Sequence, residues 1–115
     1  MSLDVTLGMT VDTGGPEKSW LEVYTANITH NLTDMAEEAG IYKTLWRPEE
    51  DELNTAGSLV PALEAGLKRL RDSPEHYKKF NSPNGWGTYE HFVPFVEKYL
   101  EACILHPLAE VDICR

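Results

Sequence analysis

Cysteine is scarce in this chain of 115 residues, with Cys103 and Cys114 its only two. Two thiols are too few for a disulfide framework. Basic residues are scarce as well: 10 Lys and Arg stand against 19 Asp and Glu, a formal charge of -9. So acidic a protein repels polyanions at long range, which argues against general DNA or RNA binding and against an anionic membrane surface. A small anion held locally is compatible with it. Long apolar runs are missing, since no stretch approaches the roughly 20 residues of a membrane span. Met1 to Val11 has neither a basic start nor a continuous apolar run, so no leader is expected and the protein reads as cytoplasmic. The glycosylation patterns Asn27-Ile28-Thr29 and Asn31-Leu32-Thr33 are then coincidental.

Signature motifs are missing in the same way. There is no Walker loop, no GxGxxG and no GxSxG, and His30, His76, His91 and His106 lack the spacing of metal ligands. No metal or cofactor is expected.

What is present fits one globular domain over residues 1–115: 42% of residues are hydrophobic, with 8 Gly and 7 Pro. Leu3, Val5, Leu7, Met9 and Val11 alternate with smaller or polar residues, the period of a half-buried strand. Asp12 to Pro16 has turn composition, and Trp20 to Thr25 is rich in aromatic and β-branched residues, so the two segments read as a hairpin. Glu110 to Cys114 alternates again and closes the chain as a third strand. Between them the period turns helical. One helix is expected from Thr29 as N-cap to Ala39, with Gly40 as its stop. A second is expected over Ser58–Arg71, with Leu59, Leu63, Leu67 and Leu70 on one stripe and Pro61 in its first turn. A short helix follows Ser73-Pro74. The last runs over Thr88–Leu105, with Phe92, Val96, Tyr99 and Cys103 facing the core and Pro94 as a misfit. The class is α+β: a small, mostly antiparallel sheet of about three strands from both termini, covered by three main helices.

Three places carry residues suited to a ligand. On a helical wheel, Asn27, His30, Asn31, Asp34 and Glu38 share an arc opposite the apolar one. Asn and His are poor helix formers, amides suit directional hydrogen bonds, and a helix N-terminus favours an anion. Leu45-Trp46-Arg47-Pro48 sets a stacking face beside a guanidinium that binds phosphate. Asn84-Gly85-Trp86-Gly87 is an aromatic between glycines that let the backbone approach a ligand. Each has a structural alternative: a solvated face, Trp46 in the core with Arg47 paired to Glu49 or Glu50, and Trp86 as a lid on the core. His30 with Asp34 also has the i, i+4 spacing of an oriented base.

The segments Ala26-Asn27-Ile28-Thr29-His30-Asn31-Leu32, Met35 to Tyr42, Leu45-Trp46-Arg47-Pro48-Glu49-Glu50, Asn84 to Tyr89 and Phe95 to Cys103 together resemble a family of small uncharacterised bacterial and bacteriophage proteins. The likeness covers roughly Glu22 to the C-terminus. No activity attaches to that family. Small acidic phage proteins include sponges that bind nucleotide signals of host immunity and others that occupy a host protein surface, so the resemblance implies an anti-defence role of one kind or the other.

The expected function is non-enzymatic binding of a small anionic, nucleotide-derived ligand by Asn27, His30, Asn31, Trp46, Arg47, Asn84 and Trp86. A chain this short offers little concave surface, so the pocket is expected at a homodimer or higher homo-oligomer interface. One alternative is an acidic protein-binding inhibitor that uses Glu49 to Glu52. Another is a small hydrolase or lyase with His30 as general base.

Overall fold

Leu3, Val5 and Leu7 have no exposed surface while Asp4 between them is exposed, so the alternation at the start of the chain gives a strand with one covered face. A computed structural model, describing residues 2–115, makes this strand β1 (Ser2–Val11). β1 pairs antiparallel with β2 (Ser19–Thr29) on one side and β3 (Glu110–Cys114) on the other, giving the order β2-β1-β3. Between β2 and β3 come α1 (Thr33–Glu38), entered through a 3-10 turn at His30–Leu32, then α2 (Tyr42–Trp46), α3 (Ala56–Asp72), α4 (Pro74–Lys78) and α5 (Tyr89–Leu105). The three main helical segments are His30–Glu38, α3 and α5. The α+β class and the three-stranded sheet built from both ends of the chain agree with the sequence.

β2 is longer than its composition suggests. Alternation continues past Thr25, because Ala26 pairs with Val5 and Ile28 with Leu3, and Ile28 is buried. Asn27 is therefore a strand residue whose side-chain amide donates to Asp4 on the uncovered face. The arc of Asn27, His30, Asn31, Asp34 and Glu38 is not one helix face. Thr29 caps the turn that follows by accepting the Asn31 N–H. The 3-10 turn and α1 are too short to act as a dipole-bearing helix end.

A bulge interrupts the β1–β2 ladder. Leu7 faces Tyr24 but Gly8 faces Glu22, which leaves Val23 unpaired. Trp20 then lies across Gly8, where a Cβ would collide with the indole. β3 pairs only as far as Gly8, so the rest of the hairpin projects as an arm with Met9, Trp20 and Leu21 exposed. The molecule is accordingly long, 53 × 27 × 23 Å.

The helices close the covered face of the sheet. α3 buries Leu59, Leu63, Leu67 and Leu70, and α5 buries Phe92, Val96, Tyr99 and Cys103, the two stripes that the helical periods predict. Pro61 falls in the second turn of α3, since the helix begins at Ala56, and Pro94 falls in the second turn of α5. Both are exposed, where the missing N–H and the ring are best accommodated. Burial pushes the Cys103 thiol up to about 12, so it is inert packing. The Tyr99 ring is fully buried, between stacked Tyr24 and tilted Phe95, and its hydroxyl has no hydrogen-bond partner.

That orphan hydroxyl separates two effects at one position. Phe92→Ala and Tyr99→Ala should each cost roughly 3–5 kcal/mol in urea unfolding, as large-to-small core changes do. Tyr99→Phe should be neutral or stabilising by up to about 1 kcal/mol, because it removes a buried polar group with no bond to lose. A loss above about 1 kcal/mol in Tyr99→Phe would show that the hydroxyl has a partner.

Candidate functional site

The end of β2 and the loop before α5 meet because of one glycine. Gly87 is buried with φ +111°, and a Cβ there would lie 2.9 Å from Asn31 Cβ and 3.2 Å from Thr29 Cγ2. Only glycine has both the conformation and the space. Asn31 Nδ2 donates to the Trp86 carbonyl at 2.8 Å and fixes the contact. Asn84 shapes the loop itself, its Oδ1 accepting from the Trp86 N–H at 2.9 Å and from the Ser82 hydroxyl. Asn81 Oδ1 accepts the Tyr89 N–H at 2.7 Å and leads the chain into α5.

A cleft of about 760 Å³ lies between this corner, β2 and α5, within the size range of small-molecule sites. One chain forms it alone. Of the residues singled out from the sequence, Asn27, His30, Asn31, Asn84 and Trp86 line it. Trp86 is 71% exposed, so its indole is not a lid on the core. The sequence reading missed the opposite wall. Tyr24 comes from β2, and His91, Pro94, Phe95 and Lys98 come from α5. Their spacing of i, i+3, i+4 and i+7 is a legible helical stripe, but it borders the stronger apolar stripe and is eclipsed by it.

Trp46 and Arg47 are not in the cleft. Trp46 is 2% exposed and stacks on Tyr42 with centroids 5.6 Å apart, so it has no face for a ligand. The Arg47 Nε donates to the Tyr42 hydroxyl at 3.3 Å, and its guanidinium pairs with Glu50 at 3.5 Å. The structural alternative holds at both positions. Arg115 takes Glu49 at 3.0 Å and Lys43 also reaches Glu50. Two of the four carboxylates expected as an acidic surface at Glu49 to Glu52 are thus paired within the chain, while Asp51 and Glu52 are exposed and have no ion-pair partner among the described residues.

Trp46 still acts on the site from below. Its indole N–H donates to His30 Nδ1 at 2.9 Å. The neutral imidazole then carries its proton on Nε2 and is a donor there. A general base needs an unprotonated, accessible nitrogen, and neither ring nitrogen offers one in this arrangement.

The cleft is electrostatically unlike the rest of the protein. Its lining includes Lys98, His30, His91 and three asparagines, and no carboxylate, although the chain holds 19. Among the described residues, Lys98 has no ion-pair partner, while Lys43, Arg47, Lys68, Arg71, Lys78 and Arg115 each do. Burial, then the Cys103 thiol, then the Glu101 carboxylate raise the Tyr24 phenol above its ordinary value, so it stays a hydrogen-bond donor. Among the described residues no cluster of His, Cys, Asp and Glu could hold a metal ion, and no helix is long and apolar enough to cross a membrane. No protein-family model matches the chain, and no curated protein or solved structure is significantly similar to it.

The corner makes two substitutions unequal. Gly85 also has positive φ, +77°, but with open space around it. Gly85→Ala should cost about 1–2 kcal/mol from backbone conformation alone. Gly87→Ala should cost more and free the loop, read as faster hydrogen exchange at Trp86 to Tyr89. Arg47→Ala should leave thermal stability and the affinity of any cleft ligand unchanged; a loss of affinity would return Arg47 to the site.

Proposed function

We infer that this protein binds a small anionic, nucleotide-derived ligand in the cleft between β2 and α5, and does not turn it over. The observation that carries the reading is the segregation of charge. In a protein of charge -9, the cleft lacks carboxylates and holds an unpaired ammonium, two imidazoles and three amides. Such a lining favours an anion locally against the repulsion of the whole molecule. The exposed indole of Trp86 is the natural stacking face for a base, and each asparagine keeps one amide atom for a ligand after fixing the wall it belongs to.

The histidines support binding without turnover. His30 is committed to Trp46 as an acceptor, and His91 is exposed with no carboxylate to orient it. A protein that holds a nucleotide and does nothing to it acts by sequestration, one of the two anti-defence roles that the resemblance to small phage proteins implies. The protein-binding alternative is weakened at Glu49 and Glu50 by their internal partners.

Titration of intrinsic fluorescence with ribonucleotides tests the reading. Binding should perturb the exposed Trp86, and Trp86→Ala should weaken it by about 1–3 kcal/mol, the range for base–aromatic stacking. The melting temperature should hardly change, because the indole is 71% exposed. Chromatography of the incubated nucleotide should return it intact. Full affinity in Trp86→Ala, or no binding by any nucleotide, would sink the assignment.

A further inference from the structure

The helices cover only one face of the sheet. On the other, Asp4, Glu22, Glu110 and Asp112 are all exposed, and strand alternation sets them opposite the buried face of Leu3, Val5 and Leu7. Among the described residues none of the four has an ion-pair partner. No strand residue on this face is a lysine, arginine or histidine. Register fixes the spacing of the carboxylates. Glu22 and Glu110 flank Gly8 from the two neighbouring strands, Asp112 stands beside Thr6, and Asp4, which accepts the Asn27 amide, is one step further along β1. Each step is two residues, about 6.8 Å. The row is too spread to share a metal ion, and no metal-holding group occurs among the described residues. A cation that matches it must be spread as well.

One step of the row is built around an aromatic ring. Trp20 reaches diagonally from β2, and a Cβ on Gly8 would fall on its Cζ2, with the bonded ring carbons Cε2 and Cη2 at 2.5 and 2.7 Å. Such near-equal closeness to three ring atoms means that the indole lies face-on over Gly8, since an edge-on ring would hold the flanking carbons farther off. Glycine is what lets it lie flat. The other face of the indole looks away from the sheet, and the residue is 48% exposed. Glu22 and Glu110 stand on the strands to either side, about 4.8 Å from Gly8. A tryptophan face attracts a cation through its quadrupole, and two unpaired carboxylates beside it act in the same sense.

We propose that this face docks an extended basic segment of another protein, with lysine or arginine at alternate positions. One cationic head lies on Trp20 between Glu22 and Glu110, and the next two follow toward Asp112 and Asp4. The match is one of period: alternate side chains of an extended chain recur at the same step of about 6.8 Å as the carboxylates. The formal charge of -9 steers such a partner to the molecule, and the row decides where it comes to rest. The surface lies on the side of the sheet away from the helices, so it does not depend on the nucleotide reading of the cleft.

Fluorescence anisotropy with a labelled peptide of alternating lysine and serine tests this, beside a peptide of the same residues with its lysines in one block. The alternating peptide should bind about threefold or more tighter than the block, and salt should weaken it. Trp20→Ala should weaken it about threefold to fivefold, the worth of an exposed cation–π contact. Glu22→Gln combined with Glu110→Gln should weaken it about fivefold. Glu37 and Glu64 are exposed carboxylates outside the sheet, also without ion-pair partners. Changing both to Gln removes the same charge and should alter affinity less than about twofold. The two glutamine pairs keep side-chain shape, so they decide the matter if Trp20→Ala unsettles the arm, and their thermal melts check folding. Full affinity in a folded Trp20→Ala, equal losses from the two glutamine pairs, equal affinity for the two peptides, or no binding of either would overturn the proposal. Trp86→Ala should leave peptide affinity in place, which keeps the outcome separate from that of the nucleotide titration.

Discussion

Ile28 sits opposite Leu3 in the β1–β2 ladder, and both side chains are buried under the helices. That pair holds β2 in register to its last residue, and the rest of the site depends on it. A strand slipped by one residue would turn Ile28 to solvent and Asn27 into the core, an exchange that burial energy forbids. With the register held, Thr29 ends the strand at the point where its hydroxyl caps the turn. His30 and Asn31 then leave the sheet beside α5. The corner they form is the seat on which Gly87 closes.

Charge placement follows from the same geometry. Acidic side chains outnumber basic ones 19 to 10, and several are held by neighbours: Glu49 by Arg115, Glu50 by Arg47 and Lys43, Glu97 by Arg71, Asp72 by Lys68. Exposed pairs of this kind contribute little to stability. Their larger effect is on the field at the surface, since they leave Lys98 as an uncompensated charge at a concave site bare of carboxylates. Low-dielectric walls strengthen such a charge for a bound anion relative to open water.

Core and cleft are joined through aromatic rings. Tyr99, fully buried, stacks on Tyr24, and Trp46 bonds to His30. Both cleft residues are therefore held by side chains that lie outside the cleft lining.

Most of the fold is legible in the chain itself. Period-two alternation at Leu3 to Val11 and Glu110 to Cys114, and the stripes of α3 and α5, are local patterns that hydrophobic burial enforces wherever the element packs. Five of the seven candidate residues, Asn27, His30, Asn31, Asn84 and Trp86, line one cleft; in the sequence they stand out as polar or aromatic residues beside backbone breaks, where ligand sites concentrate. Trp46 and Arg47 have the same appearance, but α2 turns the indole inward and the guanidinium finds Tyr42 and Glu50. No local pattern distinguishes those outcomes, because each depends on which residues another element brings near. His91 and Lys98 were passed over for the converse reason, their meaning arising only when β2 lies across from them. Composition and period thus determined the class of the fold and its core, through burial of apolar surface. Tertiary structure alone decided which polar groups share a cleft, because that is a matter of distance between segments that the chain places far apart.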